Sequence, residues 1–223
     1  MKYDIRGTTM QTVDVWLEAG ESVYTESGGM SWMSTNIEME TSAKGGSVKG
    51  LGRMVSGESF FLTTYKCSQG SGLVTFAPGF PGTILPMELG KGESIICQKN
   101  AFMCAQEGVE LGVHFRKKLG AAFFGGAGFI MQKLTGPGIA FLEISGELTM
   151  YDLKDGQTLK VDQSYIGAMD PSVEFDITRT KGLKNILFGG EGLFLATVKG
   201  PGKVWLASMS LANMAAKIGV GSS

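Results

Sequence analysis

Thr12-Val13-Asp14-Val15-Trp16-Leu17 alternates with a period of two, the signature of a strand with one buried face. Glu21 to Tyr24, Gly72 to Phe76 and Thr149-Met150-Tyr151-Asp152-Leu153 follow the same pattern. Phe60-Phe61-Leu62 and Leu193-Phe194-Leu195 are instead continuous and apolar, which predicts strands buried on both faces. Pro78, Pro81, Pro86 and Pro171 stand where turns or strand ends are expected. Short strands between Gly and Pro turns predict an all-β barrel, sandwich or prism. Three segments break the pattern: Ala43 to Gly57, Leu111 to Gly128 and Ile177 to Gly190. Each predicts a short helix or an open loop, with its glycines weighing against the helix. Leu211, Met214, Ala215 and Ile218 follow helical spacing, so the tail, 207–223, predicts a short helix packed on the body or meeting another copy.

The strand pattern repeats. Gly20-Glu21-Ser22, Gly92-Glu93-Ser94 and Gly156-Gln157-Thr158 each follow an alternating stretch. Eighteen positions after the first Gly stand Ile37-Glu38, Val109-Glu110 and Val173-Glu174, with the acid as the eighteenth. A third marker is Gly57-Glu58-Ser59-Phe60-Phe61, Gly126-Ala127-Gly128-Phe129-Ile130 and Gly190-Glu191-Gly192-Leu193-Phe194. A fourth is Gly72-Leu73-Val74, Gly138-Ile139-Ala140 and Gly202-Lys203-Val204. Four markers in one order, three times, predict three homologous β units in a single body, 1–76, 77–147 and 148–206. A unit of this size buries too little surface to stand alone, so the three are expected to share a core.

Composition narrows the class. Hydrophobic residues make up 43% and charged residues 18%, which suits a globular chain rather than disorder. The 34 glycines have no collagen period and read as turns and bulges. A net charge of -1 gives no bulk attraction to nucleic acid, and none is expected as a partner. Cys67, Cys97 and Cys104 are odd in number and form no CxxC pair, which argues against a disulfide framework and for a reducing, cytoplasmic setting. Met1-Lys2-Tyr3-Asp4-Ile5 has no apolar run of a secretory signal, and no stretch is apolar for long enough to span a membrane as a helix.

Reactive constellations are sparse. His114 is the single histidine, with no cysteine at ligand spacing, so no metal or other cofactor is expected, and His114 reads as a solvated residue of a basic loop. No Gly-x-Ser-x-Gly elbow is present, and Gly20-Glu21-Ser22 reads as a turn with Gly at positive φ. Gly45-Gly46-Ser47-Val48-Lys49-Gly50 lacks the spacing of a phosphate loop.

One charge pattern stands apart. The three irregular segments hold Lys44, Lys49, Arg53, Arg116, Lys117, Lys118, Arg179, Lys181 and Lys184, nine of the 20 basic residues, and no Asp or Glu. They also carry Met54-Val55, Phe123-Phe124 and Leu187-Phe188. Under a pseudo-threefold these segments gather at one pole, basic and apolar, which suits an anionic membrane surface or an acidic partner. The plainer alternative is three solvated loops whose apolar residues cap the core.

Gly20-Glu21-Ser22-Val23-Tyr24 with Gly28-Gly29-Met30, Ile37-Glu38-Met39-Glu40, Gly57-Glu58-Ser59-Phe60-Phe61, Phe76-Ala77-Pro78 and Leu187-Phe188-Gly189-Gly190-Glu191-Gly192-Leu193 together resemble the altered-inheritance-of-mitochondria (mitochondrial biogenesis) family, in a prokaryotic member. The resemblance runs from about residue 1 to 206. It implies a fold like that of the tryptophan RNA-binding attenuation protein, a variant of the double-stranded β-helix. It implies no enzyme activity and supplies no catalytic residues, and a shared fold does not carry tryptophan or RNA binding with it. The second copy departs from the motif, with Ala127 where Glu58 and Glu191 stand.

The sequence therefore leads to a non-enzymatic binding or scaffold protein working through the basic-apolar pole. One alternative is an enzyme or small-ligand binder with a cleft between units. The other is an oligomeric structural component joined through exposed β edges or the tail.

Overall fold

In the computed structural model the described residues are 1–26, 29–42, 61–117, 128–179, 194–211 and 213–214. They form antiparallel sheets from β1 (Lys2–Arg6), β2 (Thr12–Glu18), β3 (Ser22–Glu26), β4 (Met30–Met33), β5 (Ile37–Ser42), β6 (Leu62–Cys67), β7 (Ser71–Phe76), β8 (Gly82–Leu89), β9 (Ser94–Gln98), β10 (Phe102–Gln106), β11 (Glu110–Lys117), β12 (Phe129–Thr135), β13 (Gly138–Ser145), β14 (Leu148–Leu153), β15 (Thr158–Asp162), β16 (Ile166–Met169), β17 (Glu174–Arg179), β18 (Phe194–Lys199) and β19 (Gly202–Ala207). The sheet orders are β1-β2-β7-β4, β5-β6-β3-β10-β13-β8, β11-β12-β9-β16-β19-β14 and β15-β18-β17. The protein is all-β and sandwich-like, with open sheets rather than a closed barrel.

One pairing scheme recurs along the chain. β7 lies between β2 and β4, and β6 between β5 and β3. Next, β13 lies between β8 and β10, and β12 between β11 and β9. Then β19 lies between β14 and β16, and β18 between β15 and β17. Two joints tie these stretches together, β3 to β10 and β9 to β16.

The first marker is a turn device. Glu21, Glu93 and Gln157 each donate a backbone N–H to the carbonyl three residues back, on Glu18, Gly90 and Lys154. Their side chains then accept the amides of those same residues, at 2.9, 2.8 and 2.7 Å. The preceding glycines, Gly20, Gly92 and Gly156, have φ of +88°, +82° and +75°, where a Cβ would be strained. The second marker is also a turn. Ile37, Val109 and Val173 donate to Ser34, Gln106 and Asp170 carbonyls, and all three side chains are buried.

The core is layered. Val13, Val15, Val74 and Phe76 of the first sheet pack against Val23, Tyr65, Cys104 and Phe141 of the second. Tyr24, Ala105, Ala140 and Leu142 on the other face of that second sheet pack against Ile95, Cys97, Leu134 and Ala168 of the third. Ile96, Phe129, Met131 and Met169 then pack against Ile177, Ala196 and Val198 of the fourth. Alternate residues of β3, β9, β10 and β16 thus feed two different cores. This is why Ser22-Val23-Tyr24-Thr25, which reads as an alternating strand, is buried throughout.

Several expectations are corrected. Phe61, expected inside a doubly buried strand, is exposed and precedes β6, while Phe60 and Leu193 lie outside the described residues. Leu195 is half-buried where Ala196 and Val198 are buried, so β18 alternates instead of burying both faces. Of the irregular segments, 111–117 belongs to β11 and 177–179 continues β17, because each pairs with the next strand, β11 through one bulge at His114. The segment 43–57 lies outside the described residues. In the tail, Leu211, Asn213 and Met214 have helical backbone, and Ser210 accepts the Asn213 amide on Oγ and the Met214 amide on its carbonyl.

Gly82 forms parallel bridges to both Met10 and Gly146, where the leading ends of β2, β8 and β14 come together. A Cβ there would sit 2.3 Å from the Ile144 carbonyl oxygen, a backbone atom that cannot swing aside. Gly82→Ala is therefore expected to destabilise the fold by about 1–3 kcal/mol, as overpacked cores do. An unchanged urea midpoint would mean that these strand ends are not closely apposed.

Candidate functional site

The described members of the basic segments lie at two strand ends. Arg116 and Lys117 close β11, and Arg179 closes β17. Lys44, Lys49, Arg53, Lys118, Lys181, Lys184, Met54, Val55, Phe123, Phe124, Leu187 and Phe188 lie outside the described residues. Lys117 Nζ donates to the Ile177 carbonyl and pairs with Asp176 Oδ1 at 3.3 Å. The end of β11 is thereby brought against β17, two residues before Arg179. Beneath it, Phe175 meets Phe115 edge-on at 5.2 Å and stacks with Phe129 at 5.7 Å. The Lys117–Asp176 pair is largely exposed, so it orients the strand ends more than it stabilises them. Asp176 lies just outside the acid-free segment and offsets part of its charge.

His114 is a strand residue, not a loop residue. The β11–β12 register shifts between Val113 and Phe115, leaving His114 as the extra residue of a bulge. Its side chain is exposed at the surface. The part of the ring that is covered at the bulge, together with the Lys133 charge on the facing strand β12, holds the imidazole below its usual titration range. Among the described residues no group of three or more His, Cys, Asp or Glu is placed to hold a metal ion. Cys67, Cys97 and Cys104 are free and buried. Burial pushes the Cys97 and Cys104 thiols up, and the Glu26 and Glu143 carboxylates respectively add to it.

The polar groups of the first joint escaped the sequence reading. Tyr24 Oη donates to the Val109 carbonyl at 2.8 Å, and Thr25 Oγ1 donates to the Met103 carbonyl at 2.6 Å. Ser22 Oγ donates to Glu107 at 2.5 Å, and Gln132 Nε2 donates to Glu26 at 2.7 Å. Burial raises the Glu26 carboxyl, against the pull of Lys99 and of the Gln132 hydrogen bond. Gln132 Oε1 is buried and without a partner among the described residues. The hydrogen bonds of Ser22, Tyr24 and Thr25 hold β3 to the stretch around β10. Glu143 is the other displaced acid. Burial lifts it to about 7, opposed by a hydrogen bond with the Gly79 backbone. The signal in the sequence was a lone acid in the apolar run Phe141-Leu142-Glu143-Ile144.

Comparison with known proteins gives a consistent answer. The family described as Mitochondrial biogenesis AIM24 matches residues 3–209. An uncharacterized protein of Streptococcus pyogenes serotype M6 is 31% identical over 224 residues, covering 96% of this chain and 88% of that protein. A crystal structure of a Streptococcus pyogenes protein superposes with a TM-score of 0.79 at 25% identity, covering 98% of each chain.

Two solution tests follow from these environments. Glu143 has a folded pKa raised above its unfolded value, so its contribution is fully present below about pH 4.5 and is lost as pH rises through about 7. Glu143→Gln keeps an acceptor for Gly79 and removes that loss. Its stability should exceed that of the parent by on the order of 2–3 kcal/mol at pH 8 and match it near pH 4. Parallel pH profiles for the two proteins would refute the burial of this carboxyl. The thiols should react with a water-soluble disulfide reagent only after denaturation, because all three are buried. Labelling of Cys97 or Cys104 within minutes in the native protein would contradict their placement.

Proposed function

The chain belongs to the Mitochondrial biogenesis AIM24 family, and from that premise we propose that it is a non-enzymatic binding or scaffold protein that engages an anionic surface through the basic ends of its strands. In this reading the chain is one cytoplasmic body of three homologous units, 1–76, 77–147 and 148–206, with the attenuation-protein-like fold its sequence implies. The observation that supports it most is the Lys117 contact with the Ile177 carbonyl, which links the end of β11 to the last residues of β17. Cations close together at a surface attract an anionic layer with about 1 kcal/mol each. The apolar residues that follow them in sequence, Phe123-Phe124 and Leu187-Phe188, would contribute a part that salt does not screen. No helix among the described residues is long and apolar enough to cross a membrane, and the reading requires none.

The test is sedimentation with vesicles of anionic or neutral lipid over a salt series. Binding is expected on anionic vesicles only, weakening as ionic strength rises. A variant carrying Arg116→Ser, Lys117→Ser, Lys118→Ser and Lys184→Ser should bind on the order of a thousandfold more weakly. Its denaturation midpoint serves as the control for folding. A parent protein that ignores anionic vesicles at low salt would end this proposal.

A further inference from the structure

One side-chain contact crosses the core between the second and third sheets. Glu26 closes β3, and Gln132 lies in the middle of β12, 106 positions along the chain. Gln132 Nε2 donates to Glu26 Oε1 at 2.7 Å. Tyr24, two residues before Glu26, and Leu134, two residues after Gln132, both belong to that core, so the pair lies on its inner faces. Gln132 is fully buried, yet its Oε1 has no donor among the described residues. A buried amide oxygen of this kind is rare and calls for a proton to accept.

The pair is peculiar to this boundary. Ser22, Ser94 and Thr158 open β3, β9 and β15 opposite Lys66, Thr135 and Lys199. Counting on from the first set, Glu26 corresponds to Gln98 and Asp162. Counting back from the second, Gln132 corresponds to Thr63 and Ala196. Ala196 has no polar group, so the second boundary cannot repeat the bond.

Two influences compete at Glu26. Burial opposes its charge, while Lys99 favours it from the 3-10 turn Lys99–Ala101, which leads from β9 to β10. The other titratable neighbours are Cys97 of β9 and Tyr24 of β3 itself; burial pushes both up, and the Glu26 charge adds to it. Glu110 of β11 is exposed and acts on Tyr24. On β12, Lys133 is exposed on the face opposite Gln132. β6 sets the buried Leu62 opposite Glu26, and the Cys104 of β10 faces the other core.

We infer that Glu26 stands as the neutral acid in a two-bond ring with the Gln132 amide, Nε2–H to Glu26 Oε1 and Glu26 Oε2–H to Gln132 Oε1, and that release of the Oε2 proton to water opens the ring and turns Glu26 toward Lys99. The proton that Gln132 Oε1 lacks is the one a carboxylic acid carries, so the closed ring satisfies both side chains. Opening it moves the restraint from β12, inside the third sheet, to the turn that leads into β10. The pair is thus a pH-sensitive clasp between two sheets. Folding holds Glu26 neutral where the unfolded chain ionises. The clasp's contribution is therefore fully present below about pH 4.5 and is lost as pH rises through the higher folded value. This inference does not depend on the anionic-surface reading.

The experiment follows the Glu26 carboxyl by NMR in the full chain carrying isotope-labelled glutamate, with Glu26→Gln assigning its signal. The signal should ionise above the ordinary glutamate value of about 4.3. Lys99→Met, which removes the competing cation, should move that midpoint up by at least about half a pH unit. A midpoint at or below the ordinary value, or one that Lys99→Met leaves in place or lowers, would overturn the inference. Glu26→Gln keeps both hydrogen bonds and has no proton to lose. Amide exchange at Ala105 and Gln106, the β10 residues paired with β3, separates a clasp from a passive buried acid. Compared at a single pH, parent and variant should exchange alike at about pH 4.5, and the parent about tenfold faster at about pH 8. Equal exchange at both pH values would mean that ionisation loosens nothing, and the clasp would be abandoned.

Discussion

The structure depends on strands that have no solvent face. A backbone buried on both sides must pair all its amides and carbonyls with other strands, since no water is at hand to take them. β3 and β9 meet this demand by borrowing partners from the following stretch, β10 and β16. The joint then does two things at once. It satisfies the backbone, and it delivers alternate side chains to successive cores, such as Val23 to one and Tyr24 to the next. No stretch is complete alone, because half of each joint strand's apolar surface faces a core whose other wall comes from elsewhere.

Polar side chains at the first joint sharpen this arrangement. Tyr24, Thr25 and Ser22 each bond to a single group across the boundary between β3 and the segment around β10. A shifted register would leave a buried hydroxyl unpaired, at a cost of about 1–3 kcal/mol each. Apolar contact alone would tolerate sliding, but these bonds select one alignment. Ile96 holds the corresponding place at the second joint and supplies packing where Tyr24 supplies a bond. The chain therefore fixes its alignment most tightly at the first boundary.

The local devices of this fold were legible in the sequence, and the long-range ones were not. Gly20-Glu21-Ser22 and its relatives stand out because a positive-φ glycine and a side-chain cap are chemical demands of the turn itself. The all-β class followed from the alternation around Val13 and Tyr151. Burial of Ser22 and Thr25 could not be read, because it is imposed by strands roughly 80 residues away. The apolar run at Phe61 misled for the opposite reason, since that residue precedes its strand and meets water. His114 looked like part of a loop because the bulge that carries it interrupts the alternation without ending the pairing. In the basic segments, Arg116, Lys117 and Arg179 stand at the ends of strands. Composition marked them, and the contact of Lys117 with Ile177 needed coordinates.

The order of the strands also sets a timetable for synthesis. β3 leaves the ribosome early and gains β6 on one side once Cys67 has emerged. Its other side waits for Phe102 to Gln106, about 40 residues later, or roughly two to eight seconds at about 5–20 residues per second. Throughout that interval the nascent chain displays a strand with one unpaired edge and apolar groups on both faces. The polar members of β3, Ser22, Thr25 and Glu26, would keep such a waiting strand partly hydrated until its partner arrives.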